Sequence, residues 1–127
     1  MLAKMELWQS LTINLLIPFV MIVFGLWFRR GGPKKVNWWC GYRTSMASKN
    51  QDTWVFAHRY VGRLFVPVGV CLMIFSVGIT LWLEHREISP EWSVGVIALL
   101  GLVALLTLLI PTEMALRKVF DKHGQRR

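Results

Sequence analysis

Acidic residues, cysteines and clustered metal ligands are scarce in this sequence. Its 127 residues include 7 Asp and Glu against 15 Lys and Arg, so the formal net charge is +8. The two cysteines, Cys40 and Cys71, fall in a basic loop and in an apolar run, and we expect no disulfide between them. The histidines are scattered and no metal-ligand spacing occurs, so the sequence predicts neither a metal site nor a cofactor.

Charge is also absent from three long apolar runs, residues 11–28, 64–83 and 92–110. The shortest run has about 18 residues and would rise about 27 Å as a helix, which just reaches across the hydrocarbon core of a bilayer. A chain this short, in which 54% of the residues are hydrophobic, could not bury them all as a soluble domain. Because backbone groups in lipid must be paired within each segment, each run should be a helix.

We therefore predict an all-α membrane protein in which residues 1–127 form a single integral membrane domain. Its three transmembrane helices are expected at about 10–28, 64–83 and 92–111. The first run follows Lys4 and could be a secretory signal peptide. It is, however, longer than the apolar part of a signal peptide and lacks a small-x-small cleavage site, so we interpret it as a retained span.

Basic residues are concentrated on one side of the predicted spans. Of the 15 Lys and Arg, all but Lys4 and Arg86 lie between the first two spans or after the third. The positive-inside rule places the loop 29–63 and the C-terminal helix or tail 112–127 in the cytoplasm, and the N-terminus outside a bacterial cell (inner) membrane. Anionic lipid headgroups are then the expected partners of the positive charge, and no nucleic-acid partner is expected.

The loop between the first two spans is rich in aromatic residues, so we expect it to fold onto the membrane surface or onto the spans. Ser48 with Gln51 matches a capping box, and Asn50 with Asp52 is nearly as good a helix start. The sequence therefore predicts a helix that begins there, within a residue or two.

The predicted helix is amphipathic, because Trp54 and His58 share one face while Arg59 is displaced around the helix. If it continued unbroken to the end of the second span, it would be about 48 Å long, well beyond a hydrocarbon core of about 30 Å. We therefore expect a kink or break between Gly62 and Pro67. The first part would then be an interfacial helix that precedes the second span.

Two interpretations stay open for the polar side chains of this segment. The general one is that aromatic rings anchor at the interface while Lys and Arg meet lipid phosphates. The specific one is that Arg43 and Arg59 converge on one anionic group, helped by the exposed amides near Asn50. His58 could sense pH or donate a hydrogen bond to a neighbour, and Glu113 is expected to balance nearby Lys and Arg.

Several polar and aromatic residues follow one another at fixed spacing between positions 41 and 62. They are Gly41, Tyr42, Arg43 and Thr44, then Ser48 and Asn50, then Thr53 and Trp54, then Ala57, His58, Arg59 and Gly62. This pattern resembles the signature of the SdpI/YfhL-like membrane proteins, the sporulation-delaying-toxin immunity family, and the three-span layout is similar to the short branch of that family. The resemblance implies protection of a cell from a membrane-active peptide toxin, and relay of the toxin's presence to a cytoplasmic regulator.

The favoured hypothesis is a non-enzymatic membrane protein that binds a membrane-active peptide, a lipid or a small anionic ligand through this motif. The expected ligand-binding residues are Gly41, Tyr42, Arg43, Asn50, Trp54, His58 and Arg59. The alternative is an oligomeric small-molecule or ion transporter or channel, although the spans contain no acid or base and few polar groups such as Asn14 and Thr80. Small residues on the second and third spans would permit a homodimer. Cys40 with His58 is the one pairing that suggests an enzyme, and it lacks an orienting third group.

Overall fold

Three long helices make up most of the chain in the computed structural model, which describes residues 7–127. They are α1 (Leu7–Arg29), α2 (Gln51–His85) and α3 (Pro90–Val119). Each helix is long and apolar enough to cross a membrane, and most residues in the apolar part of each helix face outward. The predicted all-α fold with three spanning helices is therefore confirmed, while Lys4 lies outside the described residues.

α2 begins where the capping residues predicted, at Gln51 after the N-cap Asn50. The Asn50 side chain accepts a hydrogen bond from the Thr53 amide at 2.9 Å, and the Thr53 hydroxyl accepts one from the Asn50 amide at 3.1 Å. Such a reciprocal pair satisfies amides that the first turn of a helix leaves free. The capping box is thus formed by Asn50 with Thr53 and not by Ser48 with Gln51.

α2 continues as one helix through Pro67, so the chain is not broken between Gly62 and Pro67, and a kink there stays a prediction. The reason lies in α1, which packs on α2 on both sides of the proline. A Cβ on Gly62 would lie 2.4 Å from the Arg29 amide nitrogen, and one on Gly69 would lie 2.8 Å from the Ile22 side chain. These contacts hold the helix together despite the backbone donor that proline lacks. The interfacial position of the first turns of α2 stays a prediction.

α3 is longer than the third predicted span. It continues through Pro111 to Val119, and residues 120–127 then form a tight turn that we name the C-terminal turn. An isolated antiparallel bridge between Phe120 and Arg126 closes this turn. The helix that we expected after the third span is therefore the end of α3 itself.

α1 and α2 make the most extensive contact in the bundle. Their backbones approach closely where Gly25 faces Gly62, because a Cβ on Gly62 would lie 2.8 Å from the Gly25 carbonyl oxygen. Near this crossing, Phe28 of α1, Val61 of α2 and Leu116 of α3 are buried in one hydrophobic cluster. The three helices therefore share a core at the end of the bundle that carries the loop between α1 and α2.

At the opposite end, a polar contact joins all three helices. The Asn14 amide nitrogen of α1 donates hydrogen bonds to the Thr80 hydroxyl of α2 at 2.8 Å and to the Ser93 hydroxyl of α3 at 2.9 Å. All three side chains are buried. Asn14 and Thr80, which the sequence analysis considered for a transporter, thus bond to each other where the helices meet.

The small residues of α2 and α3 have two kinds of surroundings. Gly69 and Gly101 pack against α1, whereas Gly78 and Gly95 have no neighbouring atom within 4 Å in the described chain. The homodimer stays a prediction, and Gly78 and Gly95 lie on the outer surface of the described bundle.

Candidate functional site

One end of the bundle, which we name the basic end, is formed by the end of α1 at Arg29, the loop of residues 30–50, the first turns of α2, the last turns of α3 and the C-terminal turn. Of the 15 Lys and Arg in the chain, all but Lys4 and Arg86 belong to this end. Most of the expected ligand-binding residues make contacts within the chain here, whereas Arg43 and Arg59 are exposed.

His58 lies at the centre of the basic end and is fully buried. Its Nε2 atom accepts a hydrogen bond from the Tyr42 amide at 2.9 Å, and its Nδ1 atom lies 2.8 Å from the Trp54 carbonyl oxygen. Since Nε2 accepts a hydrogen bond, we assign the neutral ring with its hydrogen on Nδ1, from which it donates to Trp54. Both ring nitrogens are therefore occupied, and the imidazole joins the loop to α2.

Two glycines of the loop pack their backbones directly on this imidazole. Gly32 and Gly41 have positive φ angles of 66° and 105°. A Cβ on Gly32 would lie 2.4 Å from His58 Cδ2, and one on Gly41 would lie 2.6 Å from His58 Nε2. Both the backbone conformation and the space around it therefore favour glycine, which gives Gly41 of the motif a packing role.

Trp54 covers another side of His58 and is also fully buried. The two rings are tilted with their centroids 4.4 Å apart, and Phe28 of α1 meets the imidazole edge-on at 4.9 Å. The Trp54 indole nitrogen donates a hydrogen bond to the Pro33 carbonyl oxygen at 2.8 Å. Trp54 thus binds the start of the loop to α2, as buried tryptophans with a satisfied N–H commonly do.

Tyr42 joins the loop to α3. Its side chain is buried, and its hydroxyl donates a hydrogen bond to a Glu113 carboxylate oxygen at 2.7 Å. Burial, together with the Glu113 carboxylate, raises the pKa of the Tyr42 hydroxyl well above its usual range, so the hydroxyl stays protonated and donates. The expectation that Glu113 balances nearby Lys and Arg is therefore wrong, because its partner is Tyr42.

Asn50 joins the start of α2 to the C-terminal turn. Besides capping α2, its side-chain amide donates a hydrogen bond to the Gly124 carbonyl oxygen at 2.6 Å. Next to it, the Arg126 guanidinium forms a two-point ion pair with the Asp52 carboxylate, with both N···O distances at 2.8 Å. Asn50 therefore has two structural tasks, and the C-terminal turn closes over the first turn of α2.

Comparison with protein families adds an independent observation. A model described as the SdpI/YfhL protein family matches residues 34–112, which is more than half of the chain. The chain belongs to the SdpI/YfhL family. In this SdpI/YfhL family protein the matched region contains all the expected ligand-binding residues, together with α2 and most of α3. No curated protein and no solved structure matches the chain.

Arg43 and Arg59 differ from the other motif residues of this SdpI/YfhL family protein. Both are exposed, and within residues 7–127 neither guanidinium has a hydrogen-bond or ion-pair partner. Arg59 lines a cleft of about 310 Å³ together with Arg63 and Arg126, and Arg43 is not part of that lining. The convergence of Arg43 and Arg59 on one anion stays a prediction.

Several residues of the basic end were not identified from the sequence. Gly32 lies outside the motif, although its conformation lets the loop reach His58. The partners of Asn50 and Tyr42 were also missed, since Gly124 and Glu113 lie 74 and 71 positions away along the chain. The Asp52 to Arg126 pair had only a weak signal, which is the presence of one acid in a loop that is otherwise strongly basic.

Proposed function

We propose that this SdpI/YfhL family protein is a non-enzymatic binding protein of the toxin-immunity type in a bacterial cell membrane. Its basic end faces the cytoplasm, binds a membrane-active peptide, a lipid or a small anionic ligand, and relays the presence of that ligand to a cytoplasmic regulator. The observation that carries the proposal is a difference within the motif. Most of the expected ligand-binding residues make contacts within the chain, whereas Arg43 and Arg59 are exposed and have no hydrogen-bond or ion-pair partner among residues 7–127.

The exposed arginines suit an anionic or amphipathic partner. A guanidinium presents several donors in a planar fork, which binds carboxylate or phosphate at two points. Arg43 and Arg59 project from a surface that is fixed beneath by contacts from all three helices, so little ordering is needed when a ligand arrives. Trp38 and Trp39 of the same loop are 82% and 70% exposed, as side chains at a lipid or peptide interface commonly are.

The other hypotheses have less support. An enzyme that uses Cys40 and His58 would need a free imidazole nitrogen, and both nitrogens of His58 have partners within the chain. A transporter or channel would need polar groups that line a passage, and Asn14 instead bonds to Thr80 and Ser93 between the helices. These two contacts give the Asn14 amide nitrogen partners between the helices.

The proposal is tested by survival of bacteria that express the full chain during exposure to a panel of membrane-active peptides. Arg43→Gln and Arg59→Gln should each reduce protection by roughly ten- to a hundredfold, because each removes a charge-assisted contact. Arg29→Gln and Arg30→Gln are the matched controls, since both remove an exposed arginine at the same end of the bundle. The controls should protect as well as the unaltered chain, at equal amounts of protein in the membrane.

Two results would contradict the proposal. One is survival that is independent of expression of the chain for every peptide of the panel. The other is an equal loss in all four variants, which would show that total positive charge matters and not the motif. If Thr107→Val abolishes activity while the arginine variants keep it, the transporter alternative is favoured, since Thr107 is an exposed polar residue within α3.

A further inference from the structure

The cleft beside Arg59 has the chemistry of an anion site. We propose that Arg59, Arg63 and Arg126 together bind a phosphate group, carried by an anionic lipid headgroup or by free phosphate. The inference rests on the proposed binding function and deepens it, because it names one ligand chemistry and one place at the basic end. The cleft measures about 310 Å³ and is lined by Asp52, Val55, Phe56, Arg59, Tyr60, Arg63 and Arg126.

Arg59 and Arg63 form the α2 side of the cleft. They are four positions apart, so they lie one above the other on the same helix face. Both are exposed, and within the described chain neither has an acidic partner. Two like charges at this spacing repel each other, and an anion bound between them would remove that repulsion.

Arg126 of the C-terminal turn also lines the cleft and is held there by two contacts. Its Nε and one terminal nitrogen bond to the Asp52 carboxylate, and its guanidinium lies over the Phe120 ring at 5.0 Å from the centroid. The remaining N–H groups of the guanidinium stay free to donate. Three arginines and one aspartate line the cleft, so its net charge is +3 − 1 = +2.

The other lining residues suit a phosphate that is attached to an amphipathic molecule. Tyr60 stacks on Phe56 with the ring centroids 6.1 Å apart, and its hydroxyl has no partner among residues 7–127. It can therefore add a neutral donor to the charged ones, next to an apolar surface.

The depth of the cleft also fits a headgroup phosphate. Arg63 directly precedes the uncharged run 64–83, and Arg59 lies about 6 Å further along the axis of α2. With the second span at about 64–83, as the sequence predicts, the cleft would lie where α2 leaves the hydrocarbon, at the level of the lipid phosphates.

The test uses the purified full chain in a neutral detergent, titrated with short-chain phosphatidylglycerol, short-chain phosphatidylcholine and inorganic phosphate. Bound ligand is counted by native mass spectrometry. We expect saturable binding of one phosphatidylglycerol molecule, and weakening by roughly ten- to a hundredfold in the double variant Arg59→Gln with Arg63→Gln. The double variant Arg29→Gln with Arg30→Gln removes the same charge outside the cleft and should bind within about twofold of the unaltered chain.

The ligands distinguish the sources of the phosphate. If phosphatidylglycerol binds and inorganic phosphate fails to displace it, the ligand is the lipid headgroup, and displacement at similar concentration identifies free phosphate. Equal weakening in both double variants, or no saturable binding of any of the three probes, would overturn the inference. If the cleft variant binds phosphate normally while the survival assay still shows protection that depends on Arg43, this inference alone fails and the proposed function stands.

Discussion

At the scale of single residues, two loop glycines separate the cost of backbone strain from the cost of a steric clash. Gly31 and Gly41 have nearly equal φ angles of 111° and 105°. A Cβ on Gly41 would lie 2.6 Å from His58 Nε2, whereas one on Gly31 would have no atom within 4 Å in the described chain. The two positions therefore form a matched pair for substitution.

Gly41→Ala should lower the free energy of unfolding by about 3 kcal/mol, since it combines backbone strain with a clash against His58. Gly31→Ala carries only the backbone cost, about 1 kcal/mol. Denaturant unfolding of the purified chain in mixed micelles measures both changes. Equal losses in the two variants would show that the loop does not pack on His58 as described.

Asp121 gives the C-terminal turn a dependence on pH. Its carboxylate accepts hydrogen bonds from the amides of Gln125 and His123, and the Gln125 amide is the main reason that the pKa of Asp121 lies below its usual value. A carboxyl whose pKa is lower in the folded state stabilises that state above its unfolded pKa, and the contribution is lost as the pH falls through the folded pKa. The turn should therefore be more stable at neutral pH and should open more often in acid.

Exchange of the Gln125 amide hydrogen, followed by NMR as the pH is lowered, measures this opening relative to the intrinsic exchange rate. We expect protection to decline as the pH falls below about 4, the ordinary range of an aspartate. Asp121→Asn cannot titrate and should show a flat profile over the same range. A decline of equal size in that variant would assign the effect to another group.

At the scale of helices, the crossing of α1 and α2 depends on Gly62. Gly62→Ala should lower the free energy of unfolding by about 2 kcal/mol or more, because the added Cβ would lie 2.4 Å from the Arg29 amide nitrogen. Gly78→Ala on the same helix meets no atom within 4 Å in the described chain and should change it by less than about 1 kcal/mol. If both variants unfold alike in mixed micelles, the close contact between the helix backbones is not present.

The helices also show what a sequence can and cannot predict locally. The start of α2 followed from Asn50, because a capping residue acts within its own turn. A break near Pro67 did not form. The missing proline donor is a local property, whereas the contacts that α1 makes at Gly62 and Gly69 come from another helix. Local chemistry therefore predicted where α2 begins, while contacts between helices accompany its continuation past Pro67.

At the scale of the whole molecule, three spans and the family followed from the sequence, but the arrangement of the basic end did not. Apolar length and charge distribution are properties of neighbouring residues, so they can be read directly. The bonds from Tyr42 to Glu113 and from Asn50 to Gly124 join residues 71 and 74 positions apart, and no spacing rule pairs them. The family could therefore be recognised from the sequence, while the partners of Tyr42 and Asn50 needed the fold.

The orientation of the molecule is a prediction with a direct test. In a chain whose Cys40 and Cys71 are replaced by serine, we would introduce Lys35→Cys at the basic end and Ile88→Cys in the connection between α2 and α3, both at exposed positions. A membrane-impermeant maleimide should label position 88 in intact cells and position 35 only after permeabilisation, because the positive-inside rule places the basic end in the cytoplasm. Labelling of position 35 in intact cells would reverse the orientation.

The central claim is that neighbouring motif residues have different tasks, with His58 holding the basic end together and Arg59 serving a ligand. The most direct measurement compares denaturant unfolding of the full chain carrying His58→Leu with that carrying Arg59→Gln. His58→Leu should lower the free energy of unfolding by about 2 kcal/mol, because it leaves the buried Tyr42 amide without an acceptor. Arg59→Gln should change it by less than about 0.5 kcal/mol, since the side chain is exposed and has no partner in the described chain. Equal losses in the two variants, or a larger loss for Arg59→Gln, would contradict the account.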